Sequence, residues 1–215
     1  MQPLQDDPQS PSGFEMSGGA LCLDFANTWG DRGRPETERL RGYADLLGFA
    51  RQAGLLAGGA ESRLAELAAR KPRAAAAALD LGRGLREVLY RIFSAAAAAR
   101  APAAADLERL NAALPKALSH LRLERRDDAG FVWGWACPEA VEESAGAALE
   151  APLCPILRSA AELLTSGELR QVRECAAGDC NWLFLDCSRN RSRRWCSMAT
   201  CGNRAKARRH YRRKE

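Results

Sequence analysis

The sequence predicts an α+β chain: a mostly helical amino-terminal domain with a small β-hairpin, then a short cysteine-knuckled end. Three observations carry this prediction. Apolar residues recur at three- and four-residue spacing over most of 37–114, which lines them up on helical faces. The run from Leu118, LSHLRLERRDDAGFVWGWA, alternates apolar and polar residues on both sides of Asp127, Asp128, Ala129 and Gly130, as a β-hairpin does. Five of the eight cysteines fall between positions 175 and 201.

The 215 residues, 47% hydrophobic, suffice for one real core and a small appended module. Residues 1–15 begin polar and proline-rich and read as a disordered segment. They lack the basic start and apolar run of an export signal, so a cytoplasmic location is expected. The helical domain spans 16–150. Its first element, ALCLDFA at Ala20 to Ala26, is a strand or a buried helical turn, closed by Asn27 and Thr28. A helix follows over Thr37 to Gly54, with Leu40, Tyr43, Ala44, Leu47 and Ala50 on one face. The same periodicity runs through Leu64 to Ala69 and Leu79 to Ala99, where Leu81, Leu85, Val88, Leu89, Ile92 and Phe93 form a stripe. Arg73, Asp80, Arg91 and Arg100 interrupt the alanine-rich stretches well short of the roughly 18 apolar residues of a membrane span. A helix over Asp106 to Leu114 stops at Pro115.

In the hairpin, Trp133 and Trp135 project from one face of the second strand, an apolar lid over the helices or a surface on which a ligand stacks. Helices are expected over Pro138 to Leu149 and, within a connecting segment 151–170, over Pro155 to Leu164. Cys22, Cys137 and Cys154 lie scattered among apolar neighbours and read as buried, inert thiols.

The remaining segment, 171–215, holds the pattern C-x4-C-x15-C-x4-C at Cys175, Cys180, Cys196 and Cys201. Two tight knuckles each supplying two thiolates suit the tetrahedral shell of one zinc ion. Between them Asn181 to Asp186 reads as a strand, Ser188 to Ser192 as a turn and Arg193 to Trp195 as the returning strand. The second knuckle opens onto a helix, which is the order of a treble-clef-like finger with Trp182, Phe184 and Trp195 as its small core. Four cysteines leave no open coordination position, so the zinc is structural, and without it this end unfolds. Cys187 lies outside both knuckles, and His210 is not needed by a shell that is already full.

Charge is segregated. From Ser188 to the end the balance is +10, which leaves the first 187 residues at −5. Arg189, Arg191, Arg193 and Arg194 lie on the hairpin turn and return, and Arg204, Lys206, Arg208, Arg209, Arg212 and Arg213 with Tyr211 on the helix. Arg204, Arg208 and Arg212, four apart, share a helical face. Such a split is the footprint of a polyanion binder, with nucleic acid as partner; if half of these cations met phosphates, the logarithmic salt slope would be about −5.

The residues RECAAGDC and WLFLDCSRNRSRRWCSMATCGNRAKARRH resemble the CGNR zinc finger, named for the tetrapeptide at Cys201 to Arg204. GGALCLDFANT and the helices after it resemble the opening of the ABATE domain that precedes this finger in its family. The resemblance implies a bacterial, stress-related transcription regulator, with the same four cysteines as ligands, Gly202 permitting a tight turn and Asn203 capping the helix.

Three functional readings follow. In one the chain is a DNA-binding regulator, not an enzyme, its helical domain sensing a small-molecule effector or mediating assembly. In another the finger binds RNA or the ribosome. A third reading puts a ligand or catalytic pocket at Asp24, Asn27 and Thr28, although no nucleophile, general base or phosphate loop accompanies them.

Overall fold

The computed structural model describes residues 13–56, 58–125, 130–136 and 144–212. The segment before the first helix is part of the core: Phe14 is buried, its ring meeting Phe49 edge-on at 5.4 Å, and its N–H donates to Gln52 Oε1 at 2.7 Å. Structure therefore reaches back before Met16, and residues 1–12 lie outside the described residues. Gly19, at φ +81°, turns the chain into α1, Leu21–Ala26, whose Cys22, Leu23, Phe25 and Ala26 are wholly buried. The ALCLDFA run is thus helical.

The next helix begins later than its periodicity suggests. Trp29 pairs with Glu38 in one antiparallel bridge, a 3-10 turn occupies Pro35–Thr37, and α2 spans Tyr43–Gln52. Glu38 bonds the Arg86 guanidinium at 2.6 Å through both oxygens, and Asp45 accepts the backbone N–H of Arg41 and Gly42 at 2.7 Å, fixing the start at Gly42. Helix α3 covers Ala60–Arg70, and α4, Pro72–Ala97, follows with Pro72 in its first turn, where no N–H is needed. At 26 residues, about 39 Å, α4 is the spine against which α1, α2, α3 and the later elements pack. Its stripe holds from Leu85 to Phe93, but Leu81 is 40% exposed, and Arg86, paired to Glu38 and Glu87, is 1% exposed within the stripe.

Helix α5, Ala104–Leu118, runs through Pro115 instead of stopping before it. Proline there forfeits one N–H bond, while Ala117 reaches the core and Ser119 N–H closes the turn onto Pro115 O at 3.0 Å. Strands β1, Leu121–Arg125, and β2, Phe131–Trp135, pair antiparallel with Leu123 opposite Trp133. Asp127, Asp128 and Ala129 of the predicted turn lie outside the described residues. The hairpin covers the helices with only one of its two tryptophans. Leu123, Phe131 and Trp133 are 62%, 71% and 52% exposed, Arg158 lies 4.9 Å from the Trp133 ring, and Trp135 packs on the core. Residues 137–143, with Cys137 and half of the helix expected over Pro138 to Leu149, are likewise outside the described residues. The helix α6, Ala145–Glu150, and α7, Cys154–Thr165, close the helical layer over α4 and α5.

Strands β3, Val172–Glu174, and β4, Leu183–Leu185, form an antiparallel pair with Val172 opposite Leu185. The expected strand near 183 exists, but its partner precedes the first knuckle. Arg193 to Trp195 is not a strand. The buried Asp186 carboxylate accepts Ser188 N–H, Ser188 Oγ–H and Arg193 N–H at 3.0, 2.5 and 3.0 Å, curling the chain away from β4. The free edge of β4 goes to the helical domain: Leu185 N–H donates to Gly18 O at 2.8 Å, and the Asn27 amide pairs with both backbone groups of Leu183. Leu183 and Leu185 enter the main core, and Phe184 enters a second cluster with Cys175, Cys196 and Cys201. Among the described residues no helix is long and apolar enough to cross a membrane.

Candidate metal centre

The first knuckle, Cys175 to Cys180, is the connection between β3 and β4. The second, Cys196 to Cys201, passes through a π-type turn, Met198–Gly202, into α8, Asn203–Arg212. These two loops bring all four sulfurs within 4.8 Å of one another. The Cys180–Cys196 and Cys196–Cys201 separations, 3.7 and 3.6 Å, match the edge of about 3.8 Å that a tetrahedron of thiolates at 2.3 Å from zinc requires. A disulfide needs about 2.05 Å, and no pair is bridged.

Donors surround the sulfurs. Ala177 N–H bonds the Cys175 sulfur and Trp182 N–H that of Cys180, the same two-residue step in each case. Cys196 N–H reaches Cys175 Sγ at 3.4 Å, and Arg204 Nη2 reaches Cys201 Sγ at 3.1 Å. Without a cation the thiols compete for charge: Cys180 bonds its neighbour Cys175, which lowers the Cys175 pKa and raises its own, and Cys196 is raised as well. One zinc ion lets all four ionise. Three ligands are buried and Cys180 is half-buried, and four thiolates fill the tetrahedral shell, so the centre fits a structural zinc. A Cβ at Gly202 would stand 2.6 Å from Met198 Sδ, so the exposed Met198 side chain would have to swing aside. Asn203 does not cap α8. It is the first helical residue, and its Nδ2 donates back to Ala199 O at 3.1 Å. Cys187 is exposed and outside the shell.

The basic residues divide into three groups. Arg189, Arg191 and Arg194 are exposed around the turn, Arg191 at φ +47° and Arg194 over the Trp195 ring at 5.5 Å. Arg193 turns inward: it donates to Trp195 O at 3.0 Å, to Ser17 O at 3.3 Å and to Cys196 O, and stacks on Phe184 at 4.3 Å. On α8, Arg204 and Arg208 both pair with Asp179 Oδ2, at 3.2 and 2.8 Å, so the shared face found by spacing lies against the first knuckle. Lys206 is exposed. Arg209, Tyr211 and Arg212 continue α8 beyond the last described side chain, and Arg213 lies outside the described residues. Asp179 was missed by the sequence reading, although an acid inside the first knuckle was the available signal.

Asp24, Asn27 and Thr28 are buried, at 8%, 2% and 2% exposure, and bonded within the protein. Asp24 Oδ1 accepts Gly18 N–H at 2.7 Å, and burial pushes its carboxyl up to about 6. Asn27 Nδ2 donates to Leu183 O and its Oδ1 accepts Leu183 N–H, both at 2.8 Å. Thr28 Oγ1 donates to Phe25 O at 2.8 Å and accepts from Arg86 at 3.3 Å. Of the three, Asn27 joins the two parts of the chain, while Asp24 and Thr28 bond within the helical domain, to Gly18 and to Phe25 and Arg86. A second tie runs from α4, where Tyr90 and Ser94 hydroxyls donate to the Glu174 carboxylate at 3.2 and 2.7 Å, one residue before the first ligand.

Two family models match the chain. ABATE, described as a putative stress-induced transcription regulator, matches residues 19–167, and the CGNR zinc finger matches residues 171–214. No curated protein matches it.

Proposed function

The chain belongs to the ABATE family and carries a CGNR zinc finger, and on that premise we propose that it is a zinc-dependent, DNA-binding transcription regulator of the cytoplasm. The family description and the finger support a zinc-binding, regulatory role; the proposal adds double-stranded DNA as the partner and stress-linked control as the setting. One observation carries it. Arg189, Arg191, Arg194 and Lys206 are exposed and have no ion pair among the described residues; the three arginines sit on the segment leading into the second knuckle and Lys206 on α8, which leaves it. Guanidinium groups held on a rigid scaffold meet phosphates without losing much freedom on binding.

The finger acts as scaffold and the helical domain as its support, a binding protein and not an enzyme. Arg204 and Arg208 contribute less than their spacing suggests, because Asp179 already neutralises part of their charge and a phosphate must displace it. The test is a gel-shift titration of the zinc-loaded chain and of R189E/R191E with labelled duplex DNA. The double variant is expected to bind at least about ten-fold more weakly and to show a salt slope shallower by about 2. Unchanged affinity overturns the reading. Preferential competition by single-stranded RNA redirects it to an RNA- or ribosome-associated finger.

A further inference from the structure

A second concave feature, apart from the metal centre, lies in the helical domain, on the side of α4 away from Glu38. A cleft of about 440 Å³ opens between α4, α5 and the corner joining α6 to α7. It exists because small residues face one another across it: Gly84 on α4, Ala113 and Ala117 on α5, Ala147 on α6. Its apolar wall is made by Leu81, Leu85, Leu153 and Leu157. This explains why Leu81 leaves the buried stripe and stays 40% exposed.

The rim is charged, and its charges are unequally committed. Lys116 pairs with Glu150 at 2.5 Å, and Asp80 with Arg83 at 3.6 Å. Arg109 makes no hydrogen bond or close ion pair among the described residues; its charge acts on its acidic neighbour Asp106 only at longer range, because Arg91 holds that carboxylate through three bonds of 2.5 to 3.1 Å. The guanidinium instead lies over the cleft, its Nη2 3.7 Å from where a Gly84 Cβ would stand. His120, at the other end, has no side-chain partner among the described residues and offers an N–H donor. Both acids of the rim thus have a cationic partner, and Arg109 and His120 each offer an N–H donor facing an apolar wall.

We propose that this cleft binds an amphipathic monocarboxylate, its carboxylate on Arg109 and His120 and its apolar body along Leu81, Leu85, Leu153 and Leu157. Charge complementarity selects an anion, since a cationic amphiphile would meet Arg109 head-on. The volume selects a ligand of small-molecule size, within the usual range of roughly 300 to 1,000 Å³ for such sites. The inference is independent of nucleic-acid binding and survives if that reading fails.

Decanoate is the probe, titrated calorimetrically into the full zinc-loaded chain, with decylamine as its charge-reversed counterpart. One saturable decanoate site is expected, with decylamine bound at least about ten-fold more weakly. R109Q, at an exposed position, is expected to weaken decanoate at least about ten-fold and leave the melting temperature and zinc content unchanged. Gly84→Leu, which grows a side chain into the cleft, is expected to abolish binding. Absence of a saturable site, equal binding of the two amphiphiles, or retention of affinity in R109Q overturns the proposal.

Discussion

The chain has two interiors that share one strand, and they are held by different physics. The larger is built from apolar area: Phe25, Phe49, Phe93, Ile92 and their neighbours from α1, α2 and α4, all essentially inaccessible to water. The smaller contains Phe184 and three of the four ligand cysteines, with Trp182 and Trp195 half-buried against them. Burying so few side chains cannot offset the conformational entropy of ordering both knuckles and α8. Metal–thiolate bonds replace the missing area. Strand β4 divides its side chains between the two, Leu183 and Leu185 to one and Phe184 to the other. The β3–β4 pair therefore belongs to the helical domain's core as much as to the finger, and the expectation that the whole carboxy-terminal end unfolds without zinc narrows to the knuckles and α8.

The largest effect that would break this division is loss of the metal. Cys180→Ser and Cys201→Ser are each expected to release zinc, removing a contribution of about 10 to 16 kcal/mol. Amide exchange should then become fast at the second knuckle and α8 while Leu183 to Leu185 and the body helices stay protected. Retention of one zinc per chain in both variants would sink the ligand assignment. Global unfolding on zinc loss would mean that the two interiors are one cooperative unit.

The seam itself is the next target. Asn27 is 2% exposed and supplies both a donor and an acceptor to Leu183. Asn27→Ala leaves a buried N–H and a buried carbonyl unpaired, at an expected cost of about 2 to 4 kcal/mol in urea unfolding. Exchange at β4 should rise more than at α4. A cost under about 0.5 kcal/mol would show that water or repacking satisfies Leu183, and that the seam rests on Leu183 and Leu185 alone.

How much of this was legible depends on the range of the interaction. The ligand cysteines were legible because their spacing is local and a closed thiolate shell has one chemistry. The body helices were legible from their period, but the start of α2 was not, because Glu38 is claimed by Arg86, which lies 48 positions away. The pairing of β4 was misjudged because residues on either side can reach it. The choice is made by Asp186, which curls the return segment, and by Asn27 and Gly18, which occupy the other edge. The hairpin at 121–135 shows the same limit: alternation says that Leu123, Phe131 and Trp133 share a face, and nothing in it says whether that face is covered. Arg204 and Arg208 were legible as a helical face, while Asp179, across the finger, decides where it points.

The smallest predicted effect concerns the second seam contact and has an unusual sign. Gly18 receives Leu185 N–H on its carbonyl and gives its own N–H to Asp24 Oδ1 at 2.7 Å. Burial raises the Asp24 carboxyl from 3.8 to about 6, and the Gly18 N–H offsets this only in part. Between those values the folded chain binds more protons than the unfolded one, so the contribution of Asp24 to stability falls as pH rises from about 4 to 6 and stays low above that. Asp106 behaves in the opposite way, because Arg91 holds its carboxyl below the usual range and its contribution is lost on acidification. Asp24→Asn keeps the acceptor for Gly18 and removes the buried charge. The variant is expected to gain about 1 to 2 kcal/mol over the parent chain at pH 7.5, discounted for partial solvent access, and nothing near pH 4. Acid also protonates the zinc thiolates, but it does so in both chains, so the difference between their urea midpoints isolates Asp24. A gain at pH 7.5 that disappears toward pH 4 assigns the cost to charge at the seam. A difference that does not change with pH would assign it to packing instead.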